Sequence, residues 1–109
     1  MESYHKDVFE SEYEAEIKKI CQDILKDQSA ERLKHTRTQL VNLIVNCVPA
    51  DVIFTEMVKQ LCIALNSDEK KRQIIDSASF YDQRASQGAK ALFHLEAFVA
   101  KAMLIIAEN

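Results

Sequence analysis

The chain has 109 residues, which is enough for one domain with a single hydrophobic core. Its apolar fraction of 48% and charged fraction of 28% are those of an ordinary soluble globular protein. The net charge of −3 argues against a surface that coats nucleic acid, because such a surface is normally basic. With one glycine and one proline there is little material for turns, so the composition favours helices joined by short connections.

The cysteines indicate buried, reduced thiols in an intracellular protein. Their number is odd, their spacing matches no zinc-binding pattern, and each lies in or beside an apolar stripe: Cys21, Cys47 and Cys62. No signal peptide or membrane-spanning segment is visible, because charged residues interrupt the long apolar run near the end of the sequence.

The first two predicted helices cover residues 6–26 and 30–47. In both, apolar residues recur at steps of three and four, which places them on one side of a helix. Ser29 is the predicted N-cap of the second helix. Arg37 falls inside the apolar stripe of that helix, and two interpretations stay open. Either its stem packs and its guanidinium reaches water or a nearby carboxylate, or it contacts a neighbouring subunit.

The third predicted helix covers residues 50–65. Val52 and Ile63 lie opposite its main apolar stripe, where an isolated helix would carry polar groups. Either a second helix of the same fold covers these two side chains, or a partner chain does.

The fourth predicted helix covers residues 68–86, with Ser67 as its cap. Phe80 projects away from the apolar stripe, on the side that holds Arg84. It is interpreted either as a partner contact or as a core residue against the next helix. The stripe itself consists of Ile74, Ile75, Ala78, Tyr81 and Ala85.

The fifth predicted helix covers residues 89–107 and follows Gly88, the only glycine, which is the predicted C-cap of the fourth helix in the left-handed conformation. This helix is apolar over most of its circumference, which predicts a central helix enclosed by the others. Glu96 lies among apolar residues on it, so its charge requires a partner. That partner is Arg84 or Arg37 within the fold, or a cation on another subunit.

No arrangement of residues indicates catalysis, a cofactor or a metal. A phosphate-binding loop needs several glycines, and the histidines have no carboxylate or second histidine at ligand spacing: His5, His35 and His94. We therefore expect no catalytic, cofactor-binding or metal-binding residue. We also expect weak binding of nucleotide and DNA by this chain.

Several stretches of the sequence resemble the C-terminal end of the eukaryotic replication factor C small subunits. The most specific stretch is residues 94–101 (HLEAFVAK), which follows residues 81–84 (YDQR). Residues 27–33 (DQSAERL) and 46–53 (NCVPADVI) add to the likeness, which extends from about Tyr13 to Ile105.

This resemblance implies an all-α, single-domain bundle of about five helices over residues 1–109, of the clamp-loader collar type. In the family, such domains pack side by side in a hetero-pentamer. Separate ATPase modules then drive the loading of a sliding clamp onto primed DNA in replication and repair. The implied partners are other replication factor C subunits and, through the parent complex, the sliding clamp and primed DNA; the implied location is the nucleus.

If the chain assembles in this way, the side chains that its own bundle does not obviously need become the candidate interface. They are Arg37, Val52, Ile63, Phe80, Arg84 and Glu96. Two other hypotheses stay open. One is a free-standing helical adaptor that binds a partner helix in a groove, and the other is an enzyme with an unrecognised acidic site.

Overall fold

A computed structural model describes residues 2–87 and 90–108, with side chains described for residues 12–85 and 90–108. The described chain forms five α-helices and no strand, which confirms the predicted all-α fold. The helices are α1 Glu2–Lys26, α2 Ala30–Val45, α3 Ala50–Ala64, α4 Asp68–Gln87 and α5 Ala91–Ala107. Their ends differ from the predicted ends by up to four residues. The predicted Gly88 turn lies outside the described residues.

Hydroxyl side chains begin two of the helices, as predicted. Ser29 Oγ accepts a hydrogen bond of 3.1 Å from the backbone N–H of Arg32 at the start of α2. Ser67 Oγ accepts one of 3.2 Å from the backbone N–H of Lys70 at the start of α4. These bonds satisfy N–H groups that have no partner inside the first turn of a helix.

The second helix ends at Val45 rather than at residue 47, because the backbone leaves the helical region there. Cys47 has a φ of 65°, in the left-handed region that is usually occupied by glycine. Its N–H donates to the Ile44 carbonyl at 2.9 Å, and the Val48 N–H donates to the Leu43 carbonyl at 3.0 Å. This pair of bonds is a Schellman motif, and the buried side chains of Val48 and Leu43 supply the hydrophobic contact that accompanies it.

Helix α5 contacts each of the other four helices, as predicted for a central helix. Its inner face is fully buried at Leu95, Phe98, Val99 and Ala102. The Phe98 ring lies 5.6 Å from that of Phe54 on α3, at a tilt of 60°. The prediction that other helices enclose α5 is nevertheless wrong on one side, where apolar side chains remain exposed to solvent.

Helix α4 packs mainly against α3 and α5, so only a narrow stripe of it is buried. Ile74, Ala78 and Ala85 lie on that stripe. Ile75 was predicted to be part of it but is 47% exposed, because α4 has helices on only part of its circumference.

A lysine of α4 joins the first turn of that helix to the last turn of α5. Lys70 Nζ donates to the Ile106 carbonyl at 3.2 Å and also to the Glu108 carbonyl. These carbonyls at the C-terminal end of α5 have no acceptor role inside the helix, and the positive charge favours that end of the helix dipole. Lys70 therefore joins the start of α4 to the end of α5, as the antiparallel arrangement of these helices allows.

Candidate subunit interface

Arg37 and Glu96 pair with each other within the fold. Arg37 Nε lies 2.6 Å from Glu96 Oε2, so the pair joins α2 to α5. The Arg37 side chain is 59% exposed and that of Glu96 is 26% exposed. Glu96 Oε2 is buried and has no well-aligned hydrogen bond, so the contact is an ion pair rather than a charge-assisted hydrogen bond. Arg37 is one of the partners that the sequence analysis predicted for Glu96.

Phe80 and Arg84 form a second pair, on the exposed side of α4. The guanidinium carbon of Arg84 lies 4.3 Å from the centre of the Phe80 ring, in cation–π geometry. The same ring meets Tyr81 edge to face at 5.0 Å. Because Phe80 stays 50% exposed, it is not a core residue against α5.

The two candidates on α3 have different environments. Val52 is half-buried and packs against the core, so the fold itself covers much of this side chain. Ile63 is 72% exposed, so the fold leaves most of this side chain in solvent.

A row of side chains along α5 was missed by the sequence reasoning. We define the outer face of α5 as Phe93, Ala97, Ala100 and Leu104, which recur at steps of three and four and so lie on one side of the helix. Phe93 is 58% and Leu104 is 65% exposed, and both alanines are half-buried. The ammonium of Lys90 lies 5.5 Å from the centre of the Phe93 ring. The spacing of these four residues indicates one side of a helix, but the apolar composition around most of α5 predicted that this side would be covered as well.

The outer face continues onto both neighbouring helices. On α4, Asp76 and Ser77 line a shallow groove together with Lys101 and Leu104 of α5. Phe80 and Arg84 follow these two residues by one and two turns on the same side of α4.

On the other flank of α5, Val41 follows Arg37 by one turn of α2 and is 36% exposed. We call the outer face with these flanking residues the outer surface: Arg37, Val41, Phe80, Arg84, Phe93, Ala97, Ala100 and Leu104.

The three cysteines differ in burial, and the prediction that all are buried is wrong for one of them. Burial, helped by the carboxylate of Glu56, raises the pKa of the Cys21 thiol to about 12. Burial also raises the pKa of the half-buried Cys62, against the opposing charge of Lys71. Cys47 is exposed, because it follows the end of α2 rather than belonging to the helix stripe.

Among the described side chains, no group of three or more histidine, cysteine, aspartate or glutamate residues could hold a metal ion. None of the helices, in the part of the chain that the structure describes, is long and apolar enough to cross a membrane.

Comparison with known proteins gives one consistent match. Residues 13–109 match the family described as "Replication factor C subunit 3, C-terminal domain". Replication factor C subunit 5 of Oryza sativa subsp. japonica is 40% identical over 97 residues, which are 89% of this chain and 27% of that protein. The Saccharomyces cerevisiae subunit 5 is 38% identical over 88 residues, 80% of this chain and 25% of that protein. The Homo sapiens subunit 3 is 30% identical over 96 residues, 88% of this chain and 27% of that protein. The chain thus spans about a quarter of the length of the curated relatives it matches.

Proposed function

Because this chain belongs to the replication factor C subunit 3 C-terminal domain family, we propose that it is an assembly domain without catalytic activity. In this proposal it packs against the corresponding helical domains of neighbouring replication factor C subunits. The resulting hetero-pentamer acts in the nucleus and loads a sliding clamp onto primed DNA in replication and repair. The ATP-driven step belongs to regions of the relatives that this chain does not match.

The outer surface is the observation that supports the proposal. An apolar side chain left in water forgoes roughly 1.5–3 kcal/mol that burial would provide. Phe93 and Leu104 are more than half exposed on one helix, and Phe80 is half exposed on the next. Contiguous exposed apolar side chains mark surfaces that another protein covers. The two alanines between Phe93 and Leu104 are small enough for a second helix to approach α5 closely.

The charges on and beside the outer surface suit a subunit contact better than a face that stays in solvent. Arg84 and Lys90 each lie over an exposed aromatic ring, and such cation–aromatic pairs strengthen when a partner excludes water. Arginine and aromatic residues are also the types enriched where protein interfaces bind most strongly. A ring subunit needs two contact surfaces, and we propose that exposed Ile63 belongs to the second one.

Incorporation into the pentamer tests the proposal. In the experiment, residues 13–109 replace the matched segment of the yeast subunit 5, and the chimera is co-expressed with the other yeast subunits. We expect the unaltered chimera to co-purify with them. Leu104→Asp and Phe93→Asp should weaken co-purification at least about tenfold, because a charge would be desolvated at the contact.

Gln22→Asp is the matched control, since it places the same charge on an exposed position of α1. It should assemble normally. All variants should keep the helicity and cooperative melting of the parent. Normal assembly of a folded Leu104→Asp chimera would show that the outer surface is not the contact. Ile63→Asp tests the second surface separately.

We further propose that the isolated chain binds neither nucleotide nor DNA appreciably. Its single glycine cannot form a loop whose amides converge on phosphates, and its net charge is −3. Titration calorimetry with ATP and magnesium should detect no heat of binding, and saturable binding at micromolar concentration would contradict this part of the proposal.

A further inference from the structure

A second surface, the groove between α3 and α4, changes its chemistry in three steps along its length. Asp51 of α3 and Asp82 of α4 line one end. Thr55 and Ser79 line the middle, and Val58 and Ile75 line the other end. Each helix contributes one residue per turn, at steps of three and four, and the two helices run in opposite directions. The groove therefore passes from two carboxylates through two hydroxyls to two branched aliphatic side chains.

The acidic end places two like charges opposite each other without a cation between them. Neither carboxylate forms an ion pair with any described side chain. Burial, and then the charge of Asp51, raise the pKa of the Asp82 carboxyl. A cation at this end would lie between two facing carboxyl groups and would offset the unfavourable charge that Asp51 exerts on Asp82.

The aliphatic end is open to solvent. Ile75 is 47% exposed, Val58 is half-buried, and the buried ring of Phe54 lies at the base of the groove. The Thr55 hydroxyl already donates to the Asp51 carbonyl at 2.8 Å, so this hydroxyl does not require a hydrogen-bond acceptor from a ligand. Apolar contact at one end and charge at the other are the features that an occupant would have to match.

We propose that this groove binds a helical segment of another protein that carries an aliphatic side chain and an arginine or lysine two turns apart. The aliphatic side chain packs against Val58 and Ile75, and the cation lies between Asp51 and Asp82. From Val58 to Asp51 is seven residues of α3, or roughly 10.5 Å at 1.5 Å per residue, which is two turns of a helix. A helix lying along the groove matches this distance with positions seven residues apart.

The groove is separate from the outer surface. Ile75, Ser79 and Asp82 lie on the side of α4 that faces α3, whereas Asp76 and Ser77 lie on the side that faces α5. The inference therefore goes beyond the proposed assembly function, and neither depends on the other.

A synthetic peptide tests the inference on the whole chain. An alanine-rich helical peptide of about eighteen residues carries leucine and arginine seven positions apart, and a second peptide has glutamate in place of the arginine. Each is titrated into isotope-labelled chain while amide chemical shifts are followed. We expect the arginine peptide to shift the amides around residues 51–58 and 75–82 with a sub-millimolar dissociation constant. The glutamate peptide should cause no such shifts.

Variants of the chain identify the source of the affinity. The double variant Asp51→Asn with Asp82→Asn should weaken binding of the arginine peptide about tenfold, because two partly exposed charge pairs are lost. Ile75→Asn should weaken it about fivefold. Asp76→Asn removes a carboxylate from the other side of α4 and should leave the affinity unchanged.

Four results would overturn the inference. One is the absence of shifts in the groove at millimolar arginine peptide. Another is equal affinity for the two peptides. The third is unchanged affinity in the double variant once its melting curve shows that it is folded. The fourth is a set of shifts confined to α5, which would mean that the peptide binds the outer surface instead.

Discussion

The two faces of α5 are both apolar, yet one forms the centre of the bundle and the other faces solvent. Phe98 on the inner face is fully buried, whereas Phe93 on the outer face is 58% exposed. The two residues have the same side chain, lie on the same helix and are separated by little more than one turn. Hydropathy alone therefore does not determine which face is buried. The neighbours do, because α2 and α4 flank α5 without closing over it.

Truncation of the two phenylalanines should give the largest difference in stability between the two faces of α5. Phe98→Ala removes a fully buried ring and should lower the free energy of unfolding by about 3–5 kcal/mol. Phe93→Ala removes a ring that is mostly in solvent, so stability should change by less than about 0.5 kcal/mol. Urea denaturation of both variants measures the difference, and similar losses would mean that Phe93 is part of the core.

Alkaline pH should lower the free energy of unfolding through the buried Cys21 thiol, which lies in the interior and not on the outer surface. The pKa of Cys21 is about 12 in the fold, against 9.0 for an ordinary thiol, so the folded state retains its proton while the unfolded state loses it. Stability from this thiol is complete below pH 9 and falls as pH rises towards 12. We expect a loss of about 2–3 kcal/mol between pH 9 and pH 11.

The control for this prediction is a pair of cysteine variants. Cys21→Ala should lack this part of the alkaline loss, whereas Cys47→Ala, at an exposed position, should keep it. Denaturation curves at the two pH values give the comparison. Identical pH dependence in the wild type and Cys21→Ala would show that other groups cause the loss.

Removal of the Lys70 ammonium should destabilise the last turn of α5 and the packing of its inner face. Lys70→Met keeps most of the stem but leaves the Ile106 and Glu108 carbonyls without their donor. We expect stability to fall by about 1–2 kcal/mol. Amide hydrogen exchange should accelerate at the end of α5, while Lys59→Met at an exposed position of α3 should have no such effect. Uniform acceleration over all five helices would argue against a local role.

The smallest effect is expected at the boundary between the two faces, where Arg37 meets Glu96. A half-exposed ion pair contributes about 0.2–1 kcal/mol. A double-mutant cycle with Arg37→Ala and Glu96→Gln should give a coupling energy in that range, and it should decrease at high salt. A coupling energy above about 2 kcal/mol would mean that the pair behaves as a buried ion pair rather than as a solvent-screened one.

The sequence predicted the number of helices, their order and the central position of α5, because apolar periodicity and capping residues are local signals. It could not show which arc of each helix is covered, since that depends on how the helices pack. Ile75 was assigned to the core and Phe93 was overlooked for this reason. The partner of Glu96 was narrowed to three possibilities by charge alone, and only the packing of α2 against α5 identifies Arg37. The α3–α4 groove is formed by pairs of residues that are 17 to 31 positions apart in the sequence, so no local pattern could indicate it.

The central position of α5 has a consequence for the synthesis of the protein. A ribosome releases the chain from its N-terminus, so α1 to α4 leave the exit tunnel before residues 91–107. Until then Phe54 lacks its ring partner Phe98, and the apolar faces that α5 will cover stay in water. During that interval the nascent chain therefore carries apolar surface that only α5 will cover, and this surface is open to aggregation or to a chaperone.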